Sequence, residues 1–257
     1  MPNRIDEIAG RLSQAREAGD FCPEWLPGTL SLDDALAIQL WLLDRELASG
    51  ERLAGWKVGL TSARARAALG ADVRPFGYIL ESRVYPSGAQ VDLSLISRSS
   101  IEPEMVFTFA SAISGSGAKT TRDDVIRAVA TVSAGYELNE RRPGTARTDL
   151  PAMVTDRLTQ WGIVVGEGLP ATSVDVNGVR CELSRDGVEL YAGVSRDELD
   201  DHYTSLCRLV EGLAVHGRGI EAGQRVITGA FARYDANAGE GWRAEYRGVG
   251  SVEVQFK

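Results

Sequence analysis

The stretch Ile101-Glu102-Pro103-Glu104-Met105-Val106-Phe107-Thr108-Phe109 constrains this chain more than any other. Apolar residues recur there at every second position, the period of a strand with one buried face. Ile101, Pro103, Met105, Phe107 and Phe109 then point into a core. Glu102 and Glu104 point together from the opposite face, with Cα atoms roughly 6 to 7 Å apart. Pro103 has no N–H to give to a ladder, so the strand is expected to begin here, or to lie at an edge or a bulge. Two carboxylates on one face repel each other unless a cation or water stands between them. They are either surface acids in solvent or oxygen ligands for a hard divalent cation such as Mg²⁺ or Mn²⁺.

The surrounding chain is of ordinary globular character. Its 257 residues are 44% hydrophobic and 25% charged, enough for one large domain with a sizeable core. The formal charge of −8 argues against nucleic acid or an anionic membrane as the main partner. Cys22, Cys181 and Cys207 are scattered and form no C-x-x-C pair, which fits a reducing compartment. The N-terminus has no apolar signal core and no 18-residue apolar run occurs, so a soluble, cytoplasmic protein is expected.

Periodicity predicts a helix over 4–18, with Ile5, Ile8, Ala9, Leu12 and Ala15 on one face. A longer helix follows, capped by Ser31 and ending before Gly50. Residues 55–62 read as a short strand running into Ser62 as the cap of an Arg/Ala-rich helix. Lys57 lies in that strand between glycines, as either a snorkelling surface residue or a catalytic or anion-binding group. Residues 76–85 read as another strand with a loop, in which Glu81 is a candidate acid. Ser114–Thr120 reads as a turn, because it lacks the spacing of a phosphate loop. A helix is predicted over 121–132, then a strand carrying Glu137 on the face opposite Tyr136 and Leu138. Asn177-Gly178 and Asp186-Gly187 are hairpin signals, and a helix with Ser195 as N-cap and Glu198 completing a capping box interrupts the later strands. The simplest organisation is one β-rich domain preceded by a helical layer.

Two histidines, His202 and His216, form neither a zinc motif nor a serine-hydrolase context, and no dinucleotide fingerprint follows a strand. The remaining parts are strand-borne carboxylates, a glycine-flanked lysine and a Thr-Gly loop at Thr228-Gly229. They suit a site where a divalent ion chelates a 2-oxo acid and stabilises its enolate while lysine or carboxylate moves the proton.

In order and spacing, Gly55-Trp56-Lys57-Val58-Gly59-Leu60-Thr61, Ile101-Glu102-Pro103-Glu104, Glu137, Asp156 and Thr228-Gly229 resemble the 2-keto-4-pentenoate hydratase and 4-oxalocrotonate decarboxylase branch of the fumarylacetoacetate hydrolase superfamily. The resemblance runs from about residue 30 to Val252. It implies a mixed α/β fold, a β-roll with an N-terminal helical layer, divided at 1–75 and 76–257 as one integrated unit. It also implies Mg²⁺ or Mn²⁺ held by Glu102, Glu104 and Glu137, and a homo-oligomer. Lys57, Asp156 and Glu81 are the candidate catalytic groups, with Leu60, Arg157, Thr228 and Arg233 against the substrate.

The implied reaction is hydration of a 2-hydroxydienoate or 2-oxoenoate. Decarboxylation or acylpyruvate C–C hydrolysis is the alternative, and a non-catalytic binding subunit is the alternative of another class. Three departures bear on the substrate. Relatives have Asp-Asn-Ala-Ser where this chain has Asp156-Arg157-Leu158-Thr159, Gly-His-Pro where it has Asp200-Asp201-His202, and a second threonine where it has Ala232. The guanidinium of Arg157 suggests a clamp for a second, distal carboxylate of a dicarboxylate substrate, with Arg233 as helper.

Overall fold

The computed structural model describes residues 4–69, 72–115, 119–142 and 149–257, so the Ser114–Thr120 turn falls partly outside the described residues. Two helices lead: α1 (Arg4–Glu17) and α2 (Leu32–Ala48). Ser31 and Asp34 cap α2 reciprocally, each side chain accepting from the other's backbone N–H. The α2 stripe Ala35, Leu36, Ile38, Leu42 and Leu43 is buried, whereas α1 buries only Ala9 and Leu12.

The strand β1 (Leu53–Val58) runs into α3 (Ala63–Leu69), whose start is capped by Ser62 Oγ accepting from the Ala65 N–H at 3.2 Å. Then follow β2 (Phe76–Leu80), β3 (Val84–Pro86), β4 (Ala89–Val91), β5 (Ser99–Phe109), α4 (Arg122–Ala128), β6 (Val129–Glu140), α5 (Leu150–Thr155) and β7 (Gln160–Pro170). The last third comprises β8 (Arg180–Arg185), β9 (Val188–Val194), α6 (Ser195–Glu198), α7 (His202–Val215), β10 (Arg225–Ala230), β11 (Tyr234–Asp235), β12 (Gly241–Tyr246) and β13 (Gly250–Phe256).

These strands make two mixed sheets. The larger has the order β2-β1-β10-β5-β6-β7-β3, with β11 continuing along β5 where β10 leaves it; the smaller is β4-β13-β12-β8-β9. Tyr246 on β12 joins the two, its hydroxyl lying 3.0 Å from Glu104 O and 2.9 Å from Gly135 O. Ile101, Met105, Phe107 and Phe109 enter the main core, as their alternation requires.

Several expectations change. Of the places expected for Pro103, a strand start, an edge or a bulge, it takes the irregular one, inside a central strand. It sits where β5 exchanges its partner β10 for β11, an irregularity at which no N–H is required of it. The helix predicted over 121–132 ends at Ala128, because Val129–Val132 pair with β5 instead. Asp186-Gly187 does turn the β8–β9 hairpin, but Asn177-Gly178 lies before β8 in a loop tied to Asp201. Ser195 caps no long helix: α6 is a single turn without a side-chain cap, and α7 starts afresh at His202 with Asp201 as its N-cap.

Candidate metal centre and active site

Register brings the three glutamates together. Antiparallel pairing of β5 with β6 sets Glu102 opposite Glu137 and Glu104 opposite Gly135. One carboxylate oxygen from each of Glu102, Glu104 and Glu137 lies within 4.8 Å of the others. Glycine at 135 is required by crowding, since a Cβ there would stand 2.4 Å from Val106 Cγ2. Across β10, the β1 strand delivers Lys57, whose Nζ donates to Glu137 Oε1 at 2.8 Å and to Leu158 O at 3.2 Å. Gly229 on β10 donates its N–H to Glu104 Oε2 at 2.6 Å. Its φ of +132°, and a Cβ position only 1.9 Å from Thr61 Oγ1, leave no room for another residue.

The electrostatics call for a cation. Glu104 and Glu137 are 3% and 1% exposed, and only Glu102 reaches toward solvent, with 12% of its side chain exposed. Burial first, and then the neighbouring Glu137 and Glu102, push the Glu104 carboxyl well above the usual carboxylate range. Burial pushes Glu137 up to about 7, although Lys57 opposes the shift. Three ionised carboxylates this close are unfavourable without positive charge among them. Hard oxygen donors converging within one ion's reach fit a divalent cation.

The glutamates and Lys57 line a cavity of about 430 Å³, together with Leu60, Met153, Leu158, Thr159, Asn139 and Arg233. Leu60 faces the cavity from a left-handed backbone (φ 57°), and Arg233 Nε lies 3.3 Å from Glu102 Oε1. Asn139 was absent from the sequence reading, although it stands two residues beyond Glu137 and so on the same face of β6. It accepts from the Thr159 hydroxyl at 2.9 Å, while its Nδ2 has no partner among the described residues.

Four other expected site residues lie elsewhere. Asp156 is buried outside the cavity in an ion pair with Arg142, with Arg16 at 3.9 Å. Arg157 turns away from the cavity toward α2 and reaches Glu46 at 3.9 Å, because Arg157, Leu158 and Thr159 are all left-handed (φ 55°, 55° and 67°) and reverse the chain. Glu81 sits in a surface turn, 3.8 Å from Arg225. Thr228 is fully buried behind Gly229, bonded to His202 Nδ1 at 2.6 Å. His202 Nε2 meets Ser195 Oγ at 2.6 Å, which gives the re-started α7 its purpose: its first side chain holds the Thr228-Gly229 turn against Glu104. Nothing in the alternation pattern could locate that relay, since it joins three separate elements.

No family model matches the chain. A 4-oxalocrotonate decarboxylase from Pseudomonas putida is 30% identical over 232 residues, covering 88% of this chain and 86% of that protein. A 2-keto-4-pentenoate hydratase from Paraburkholderia xenovorans is 25% identical over 265 residues, covering 100% and 96%. The solved structure of 4-oxalocrotonate decarboxylase from Pseudomonas putida G7, complexed with magnesium and adipate, superposes with a TM-score of 0.87 at 24% identity, covering 100% of this chain and 99% of that one. The chain belongs to the family of 4-oxalocrotonate decarboxylases and 2-keto-4-pentenoate hydratases, a family of enzymes. It shares the fold of a putative fumarylacetoacetate hydrolase family protein from Yersinia pestis CO92, with a TM-score of 0.60 at 14% identity over 81% of this chain and 94% of that one.

Proposed function

We propose that this chain is a divalent-metal-dependent lyase that hydrates a 2-oxo- or 2-hydroxydienoic acid. The observation that carries the reading is Lys57 Nζ, 2.8 Å from one of three clustered carboxylates in a largely apolar cavity. Glu102, Glu104 and Glu137 would hold Mg²⁺ or Mn²⁺, and such an ion, when bound, supplies positive charge that favours the enolate of a 2-oxo acid. The remaining work falls to the chain's own groups. Lys57 exchanges a proton with carbon of the bound acid. The unpartnered Asn139 Nδ2 donates to a substrate oxygen, and Thr159 fixes its orientation. Leu60, Met153 and Leu158 cover the hydrocarbon part and keep bulk water away. For a dicarboxylate substrate, the cavity's arginines Arg233 and Arg64 supply the distal positive charge in place of Arg157.

Decarboxylation is the second reading, favoured by the 30% identity to a decarboxylase. Histidine-assisted C–C hydrolysis has less support, because neither His202 nor His216 lines the cavity. No helix among the described residues is long and apolar enough to cross a membrane; we place the enzyme in the cytoplasm, as a homo-oligomer. The deciding experiment is turnover of a 2-hydroxydienoate with and without Mg²⁺, with products identified by mass. Gain of one water identifies the hydratase and loss of CO₂ the decarboxylase. Metal binding without turnover of any such acid would sink the lyase reading.

A further inference from the structure

A second cleft, of about 380 Å³, lies between the N-terminal helices and the large sheet. Arg157 opens onto it, whereas the next two residues, Leu158 and Thr159, line the glutamate cavity. Four arginines, Arg16, Arg45, Arg142 and Arg157, face two glutamates, Glu17 and Glu46, on its walls. Glu140 and Asp156 stand behind and pair with Arg142, so the charges balance and net charge identifies no ligand.

Hydrogen bonding does. Arg16 donates to Thr155 O at 3.0 Å, Arg142 is held by its two carboxylates, and Arg45 pairs with Glu17 at 3.7 Å and covers Trp41. Arg45 and Arg157 have their guanidinium in no hydrogen bond with a described residue, but 54% of the Arg45 side chain is open to water, whereas Arg157 is largely buried. Its contacts are Glu46, at 3.9 Å, and the face of Tyr78, 5.3 Å from Cζ to ring centroid. Glu46 is itself engaged by the Tyr78 hydroxyl at 2.9 Å. Only 13% of the Arg157 side chain is exposed. A guanidinium carries five N–H donors in a rigid fork, and burying such a fork without acceptors is unfavourable. Carboxylate and phosphate oxygens match its spacing.

We propose that this cleft binds a small oxyanion, a carboxylate or a phosphate, with Arg157 as its bidentate partner and Arg16 beside it. The site lies back to back with the glutamate cavity. The left-handed segment that carries Arg157 also presents the Leu158 carbonyl to Lys57 Nζ, so an anion drawing on Arg157 acts on the support of Lys57. The proposal does not depend on which reaction the glutamate cavity performs.

Calorimetric titration of inorganic phosphate and of succinate into the metal-free full chain tests it, alongside Arg157→Met, Glu46→Gln and Arg233→Met. Wild type is expected to bind at least one of the two anions, and which one distinguishes phosphate from carboxylate chemistry. Arg157→Met should weaken binding tenfold or more. Glu46→Gln should tighten it, because a competing carboxylate is removed, and Arg233→Met, in the other cavity, should leave it unchanged. Absence of binding, binding indifferent to Arg157→Met, or loss with Arg233→Met alone overturns the proposal. If Arg157→Met does not fold, Glu46→Gln decides, and unchanged or weaker affinity in that variant overturns the proposal equally.

Discussion

Lys57 is 7% exposed and gives two of its donors to Glu137 and the Leu158 carbonyl, so its stem packs as a core residue while its head serves the site. Replacing it by methionine keeps most of the stem. If Lys57 transfers a proton, Lys57→Met should lower kcat by ~10²-fold or more, with little change in Tm; unaltered kinetics would return the residue to the scaffold. Glu104 carries a different burden, since one of its oxygens is fixed by the Gly229 N–H while the side chain faces two other carboxylates. A neutral amide is a poorer ligand for a hard cation. Mg²⁺ is expected to raise the Tm of wild type, and Glu104→Gln should therefore reduce Mg²⁺ and Mn²⁺ affinity steeply and remove that rise. Equal metal binding in variant and wild type by calorimetry would refute the three-glutamate centre.

At the scale of elements, the break between α6 and α7 matters most, because it buries a histidine. His202 is 0% exposed, and burial depresses its pKa to about 4, with Asp201 pulling weakly the other way. Its ring faces Phe107, Ser195 and Thr228. Between about pH 6.5 and 4 the unfolded chain protonates this imidazole and the folded one does not. Its contribution is thus complete above about 6.5 and lost as pH falls toward 4, on the order of 2–3 kcal/mol. Denaturant unfolding at pH 7 and at pH 4.5 should show a larger loss for wild type than for His202→Gln; parallel losses would exclude this role.

Such features also mark how far the sequence could be read. The face carrying Glu102 and Glu104 was legible because alternation is local, and Asn139 was equally available from it. The register that sets Glu137 opposite Glu102 is long-range, and it entered only through resemblance. Arg157 was misplaced because three consecutive non-glycine residues adopt the left-handed region, which side chains other than glycine seldom occupy.

For the whole molecule, we propose that the helical layer of residues 1–75 and the β-roll of 76–257 form one cooperative unit. The strand β1 falls in the first part, yet it lies between β2 and β10 of the large sheet. A chain beginning at residue 76 should show no cooperative urea transition, and the full chain should show one; a separate early transition of the helices would contradict this. The same strand order has a consequence for how the protein is made. Lys57 lies on β1 and the glutamates on β5 and β6, while β10, which joins the two groups, is among the last strands to leave the ribosome. At about 5–20 residues per second, synthesis from Glu140 to Ala230 takes roughly 5 to 20 s. Throughout that interval the nascent chain exposes unpaired edges rich in residues such as Trp56, Val58, Val106 and Phe107. Its yield in a cell should therefore track the supply of chaperones that shield such edges. Until β10 has been made, the strand that bridges Lys57 to the glutamates is missing from the large sheet.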